Sequence, residues 1–218
     1  MSSQTVTHPR KEIPLDLNQT GAPDPAEQTL LFEIPGLRWT EADARRARQA
    51  VPEVPVDILT AISEHETWIY VSRQQVSDLG TPGDPAAFLA RLLGTSDNAT
   101  QAFRLRRLQA LLSIGDAAQG GLQPWHYTSQ TDIPVDDEDE FNQWFDREHL
   151  PRLAAVTGTA HAARYRTDGS PRYLAGYDLS SEDVHGNDAW RDAVATPWRD
   201  RIHQKFVKPR RLMLKRLR

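Results

Sequence analysis

The order of hydrophobic patterns between residues 125 and 218 limits the fold of this 218-residue chain more than any other feature. WHYTSQTDI reads as a half-buried strand, and EDEFNQWFDREHL carries apolar residues at helical spacing. TAHAARYRT and RYLAGYDLS read as two strands around the turn DGSP. DAWRDAVATPWRDRIHQKF is a second helix, interrupted near Pro197, and RRLMLKRL ends the run as a strand. The order is β-α-β-β-α-β, a split βαβ unit. Its two helices cover one face of the sheet, so the other face requires a second layer.

The first half repeats the order without an obvious sequence repeat. TLLFEIPGL is a strand, and TEADARRARQAV is a helix that Thr40 can cap, with Asp43 in its acidic first turn. VDILTAI and TWIYVSR form a hairpin, and PAAFLARLLG is a helix ending near Gly94. AFRLRRLQALLSIG fits a strand and a longer helix equally well. The expected division is a flexible arm over residues 1–28, a first module over 29–114, a linker over 115–124 (GDAAQGGLQP) and a second module over 125–218. The class is α+β, with two sheets facing each other within the chain or a sheet pairing with a second subunit as a homodimer.

Hydrophobic residues at 39% and charged residues at 26% fit a packed core rather than a disordered chain. With no cysteine, disulfides, thiolate nucleophiles and Cys-ligated metals are excluded. No run of 18 apolar residues and no basic start before an apolar run occurs, so neither a membrane span nor a secretory signal is expected, and the cytoplasm is the expected location. The acidic stretch DIPVDDEDE suits the N-terminus of the helix that follows, with Asp137 and Glu140 at capping-box spacing. The basic C-terminal stretch alternates Leu212 and Leu214 with charges. It reads as the solvated side of a strand rather than a nucleic-acid surface.

The chemistry concentrates in FNQWFDREHLPRL. Phe141, Phe145 and His149 follow one another at intervals of four and share one side of a helix. Asp146 stands three residues before His149, where it could orient the imidazole, and Pro151 should leave His149 in the last turn. A histidine there can be a proton shuttle or a packed helix end, and spacing leaves both open. His126 and Tyr127 should face opposite sides of their strand. His161 shares a face with Tyr165, and Tyr173 shares one with Tyr177. The tyrosine hydroxyls could bind an oxygenated substrate, or the rings could simply pack. His185 and His203 have no metal-like spacing with His149, and there is no H-E-x-x-H, glycine-rich nucleotide fingerprint, G-x-S-x-G elbow or phosphate loop. No cofactor and no metal are expected, which leaves cofactor-free chemistry or simple binding.

The motif W-F-D-R-E-H-L-P, followed by GTAHAARYR, RYLAGYDL, DAW and ATPW, resembles the EthD-like branch of the dimeric α+β barrel superfamily over roughly residues 122–218. The resemblance implies tandem ferredoxin-like modules whose sheets meet face to face as a barrel, within the chain or between subunits. It also implies a small-molecule pocket faced by His149, with Asp146, Tyr165 and Tyr177 as further catalytic candidates and Trp125, Tyr127, Trp144 and Phe145 around the substrate. The reaction it suggests is cyclisation, isomerisation or elimination on a polyketide-like or oxygenated aromatic substrate. A cofactor-independent monooxygenase and a non-catalytic ligand-binding protein are the alternatives.

Overall fold

The computed structural model describes residues 28–78, 84–94, 102–115 and 122–218. The expected N-terminal arm, up to residue 27, and residues 116–121 of the expected linker lie outside the described residues.

The first unit runs β1 (Thr29–Pro35), α1 (Glu41–Ala50), β2 (Asp57–Ala61), β3 (Glu66–Ser72), α2 (Arg73–Asp78), α3 (Pro85–Leu93) and β4 (Arg104–Gly115). Thr40 caps α1 in a reciprocal capping box with Asp43, and Gly94 ends α3 at φ 68°, a left-handed conformation that glycine adopts without a Cβ clash. Two elements differ from the sequence reading. TWIYVSR is a strand only as far as Ser72, with α2 beginning at Arg73, and the ambiguous AFRLRRLQALLSIG is the strand β4.

The second unit runs β5 (Trp125–Asp132), α4 (Glu138–Trp144), α5 (Leu150–Ala154), β6 (Thr159–Thr167), β7 (Tyr173–Leu179), α6 (Asp188–Val194), α7 (Pro197–His203) and β8 (Val207–Arg216). The expected capping box before α4 does not form, because Asp137 makes no side-chain cap bond there. Asp137 and Glu140 both reach Lys205 instead, at 2.7 and 2.9 Å, and so tie the start of α4 to the end of α7.

Eight antiparallel strands close into one barrel in the order β1-β3-β2-β8-β5-β7-β6-β4. Each unit contributes the order fourth-first-third-second, and the fourth strand of each pairs with the second strand of the other: β8 with β2, and β4 with β6. The chain thus supplies both halves of the barrel by itself. Along β8, Leu212 and Leu214 point inward to join Leu31, Leu59, Trp68, Leu108 and Leu174 in a filled interior. Two basic residues of the same strand form ion pairs, Arg210 with Glu64 and Glu66, and Arg216 with Asp57 and Asp178. With the middle of the barrel filled in this way, a cavity lies outside its wall, between the second sheet and its helices.

Candidate functional site

Between α4 and α5 the helix does not end. Residues Phe145–His149 form a π-helical turn, and the Leu150 N–H bonds the Phe145 carbonyl five residues back. The sequence reading placed the helix end at His149 because proline disfavours a helical residue before it, yet Leu150 is helical (φ −64°, ψ −46°) and the helix continues to Ala154. The wider turn answers Pro151, which lacks an N–H and would crowd the carbonyl one turn back in a regular α-helix. Wholly buried Leu150 and nearly buried Leu153 reward continuing.

The turn sets the direction of His149. Its imidazole stacks on the fully buried Trp144 ring, with centroids 4.2 Å apart at 27°, and meets the edge-on Phe145 ring at 4.9 Å. The Trp144 indole N–H donates to Glu148 at 3.1 Å, which fixes the platform. Burial lowers the His149 pKa to about 3, helped by the nearby charges of His203, Arg199, Arg211 and Arg164, so the ring is neutral at physiological pH. Among the described residues no hydrogen-bond partner for it is found.

Asp146 does not orient His149. In the widened turn the residue three positions back rotates away, and Asp146 accepts from Arg164 Nη1 at 2.8 Å. Arg164 is the buried member of that pair and lies 4.9 Å from the Phe145 ring centroid.

His149 lines a cavity of about 620 Å³ between the outer face of the second sheet and its helices. Tyr127 and Tyr177 form its floor, 6.0 Å apart, with Trp190 edge-on to both, and His185 stacks on Tyr127 at 4.0 Å. The Tyr177 hydroxyl is buried with no hydrogen-bond partner among the described residues, as is Arg199 Nε. Burial raises the pKa of both tyrosines. On α7, Arg199 and His203 lie four residues apart and both face the cavity, while Arg211 of β8 stands exposed at its mouth. Burial and the charges of Arg199 and Arg211 push His203 down to about 4, and burial with Arg211 lowers His185. The described lining contains two arginines, three histidines held toward neutrality and no carboxylate. It can accept a proton through imidazole, donate a hydrogen bond through Tyr177 and attract an anion.

Of the residues singled out in the sequence, His149, Tyr177, Tyr127 and Phe145 come together on this cavity. Trp144 lies behind His149, and Trp125 packs against the same helix layer without lining the cavity. Tyr165 points the other way, into the barrel interior, and Asp146 sits on the outer side of the helix with nearly half of its side chain exposed. Arg199, His203, His185 and Arg211 were missed as a group. The four-residue spacing on α7 was the available signal. Among the described residues no cluster of three or more His, Asp or Glu side chains could hold a metal ion.

No family model matches the chain, and no curated protein matches it. Solved structures do. A candidate monooxygenase from Fusobacterium nucleatum superposes with a TM-score of 0.61 at 10% identity, covering 89% of this chain and 94% of that one. A mutant chlorite dismutase from Candidatus Nitrospira defluvii gives 0.56 at 10% identity over 88% and 93%, and an anthrone oxidase-like protein gives 0.54 at 13% identity over 90% and 93%. Another neighbour, from Listeria monocytogenes, is described as a ferredoxin-fold protein related to antibiotic biosynthesis monooxygenases, with a TM-score of 0.52 at 13% identity over 88% of this chain and 95% of that one. At such identities the likeness is one of fold: this chain is an α+β barrel of two ferredoxin-like modules. No helix among the described residues is long and apolar enough to cross a membrane.

Proposed function

We propose that the protein is a small-molecule enzyme of the EthD-like branch, acting without a cofactor on an oxygenated aromatic substrate by acid-base chemistry. The observation that carries this reading is a neutral imidazole on the wall of an aromatic cavity whose floor holds a buried tyrosine hydroxyl, neither group having a hydrogen-bond partner among the described residues. His149 takes a proton from a substrate hydroxyl or an acidified C–H. Tyr177 donates to the oxyanion that develops, and Arg211 at the mouth stabilises its charge. The imidazolium formed, unfavourable in the empty cavity, is favoured beside that anion. Returning the proton to another atom gives isomerisation or cyclisation, and expelling a leaving group gives elimination. Every described lining residue lies between positions 127 and 213, so the second unit is proposed as the functional domain.

Screening hydroxylated aromatic ketones and acids by mass spectrometry tests the reading. His149→Ala should lower turnover by ~10²–10⁴-fold, the usual worth of a general base. Unchanged turnover in that variant contradicts it.

A second reading is supported by the monooxygenase-like and anthrone oxidase-like neighbours. The carbanion made by the same proton abstraction could reduce O₂ directly, with a CH₂ and O₂ giving C=O and water. Stoichiometric oxygen consumption separates this from isomerisation. Retention of an unchanged ligand with no product from it would mark a binding protein.

A further inference from the structure

The barrel interior holds a second constellation that the cavity chemistry does not use. Asp178 of β7 stands at one end of the barrel between two histidines, His126 of β5 and His161 of β6. His126 Nδ1 lies 2.7 Å from Asp178 Oδ1, and His161 Nδ1 lies 3.6 Å from Asp178 Oδ2. The far nitrogen of each ring reaches a hydroxyl: His126 Nε2 is 3.3 Å from the Tyr70 hydroxyl, and His161 Nε2 is 2.8 Å from Ser113 Oγ. Arg216 Nη2 donates to Asp178 at 2.9 Å and spans to Asp57, which keeps the carboxylate in place. Burial alone would raise the Asp178 pKa, but the hydrogen bond with His126, the nearby His161 ring and the Arg216 charge hold it well below the usual carboxylate range.

We propose that Ser113, His161 and Asp178 form a nucleophilic triad at the barrel mouth that attacks activated carboxylic esters. The roles follow from the contacts. A ring whose Nδ1 faces an ionised carboxylate carries its proton there, which leaves Nε2 as the base toward the serine. The 3.6 Å separation is long for a hydrogen bond and is of the kind that tightens when the ring becomes charged. Of the two hydroxyls served by Asp178, Tyr70 is inside the barrel, whereas Ser113 is exposed to solvent.

The strands are built to bring these groups together. The pairing of β4 with β6 slips between Ala110 and Leu112, so Ser113 turns to the interior face while Leu112 and Ile114 turn to the helix layer. The pairing of β6 with β7 slips between Thr159 and His161, which sets His161 directly across from Asp178. Each bulge re-aims one member of the triad. Gly115, at φ 90°, permits the close approach, since a Cβ there would lie 2.4 Å from the Ala160 carbonyl oxygen. Gly176 leaves the space that the His126 ring fills, because its Cβ would fall 2.8 Å from the imidazole.

In the reaction, Ser113 Oγ attacks the acyl carbonyl and its proton passes to His161 Nε2. The bond to the leaving alcohol then breaks and that oxygen takes the proton. Water, deprotonated by the same nitrogen, releases the acid, so ester and water become acid and alcohol. With an alkyl fluorophosphonate the sequence stops after the first half, as the P–F bond is replaced by an Oγ–P bond and HF is lost.

The test is intact-mass analysis of the full chain after incubation with an alkyl fluorophosphonate, followed by peptide mapping, with 4-nitrophenyl acetate hydrolysis measured in parallel. The expected result is one phosphonyl adduct per chain on Ser113. It should be absent in Ser113→Ala and in wild type unfolded in urea, and its formation should slow by at least ~100-fold in His161→Gln. Ser113→Ala changes an exposed position and should melt like wild type, so its result stands even if His161→Gln folds poorly. No adduct on the wild type, an adduct that persists in Ser113→Ala, or equal labelling rates in a folded His161→Gln each overturn the proposal.

Discussion

The two halves of the barrel follow one chain order and differ in the side chains their helices turn to the sheet. In the first, α1 presents the small side chains of Ala44 and Ala47, almost fully buried, to a layer that includes Leu30, Phe32, Ile34 and Ile69. In the second, the corresponding helix carries Phe141, Trp144, Phe145 and His149, and a π-turn in place of a straight run. Phe145 and His149 of this stretch line the cavity of about 620 Å³. The same topology therefore carries a packed helix layer on one side and a cavity under the helices on the other. The determining difference is side-chain size at a few helix positions rather than a different fold.

That contrast can be attacked from its strongest contact downward. Trp144→Ala should cost ~3–5 kcal/mol in denaturant unfolding, the range for a buried aromatic, and should release His149 from its platform, so that binding of a small molecule to the cavity is lost as well. Acid should act next. The folded-state pKa of His149 is about 3 and that of His203 about 4, both below the unfolded value near 6.5. The unfolded chain therefore binds more protons in this range. Stability should be fully present above pH 6.5 and fall, on the order of a few kcal/mol, as pH drops from 6.5 towards 3. A His149→Phe variant should show a shallower acid slope in urea melts, and an unchanged slope would mean that His149 is not held neutral by the fold.

The smallest effect is the sharpest on the comparison. Ala44→Leu in the first unit should cost ~1–3 kcal/mol by overpacking a filled layer. Val194→Phe, which also enlarges the side chain but projects into the cavity, should cost under ~1 kcal/mol while reducing ligand binding. Equal costs at the two positions would mean that the two helix layers are equally packed.

Much of the fold was legible in the sequence because its signals are local. The Thr40 cap, the Gly94 stop and the strand in WHYTSQTDI each rest on signals within a few residues. β4 was ambiguous for an identifiable reason: the bulge before Leu112 inverts the inside-outside pattern, so Leu108 faces the barrel and Leu112 the helix layer, and no single period fits. The π-turn was hidden because Pro151 normally ends a helix, and what overrode it was burial of Leu150 and Leu153, a tertiary gain. The site followed the same division. His149, Phe145, Tyr127 and Tyr177 stood out by type and spacing, whereas Arg199 and Arg211 read as solvated charge until the cavity gave them a direction. Asp146 was a plausible neighbour only for a regular α-helix, and its partner Arg164 comes from another element.

The central claim, that His149 is a neutral base facing a ligand cavity, is tested most directly by long-range ¹H–¹⁵N NMR of its imidazole as a function of pH, with and without 1-hydroxy-2-naphthoate as a probe. The expected result is a ring that stays neutral from pH 7 down to about 4, as a pKa of about 3 requires, and whose nitrogen resonances move when the probe is added. Titration near the ordinary histidine value, with resonances indifferent to the probe, would contradict it.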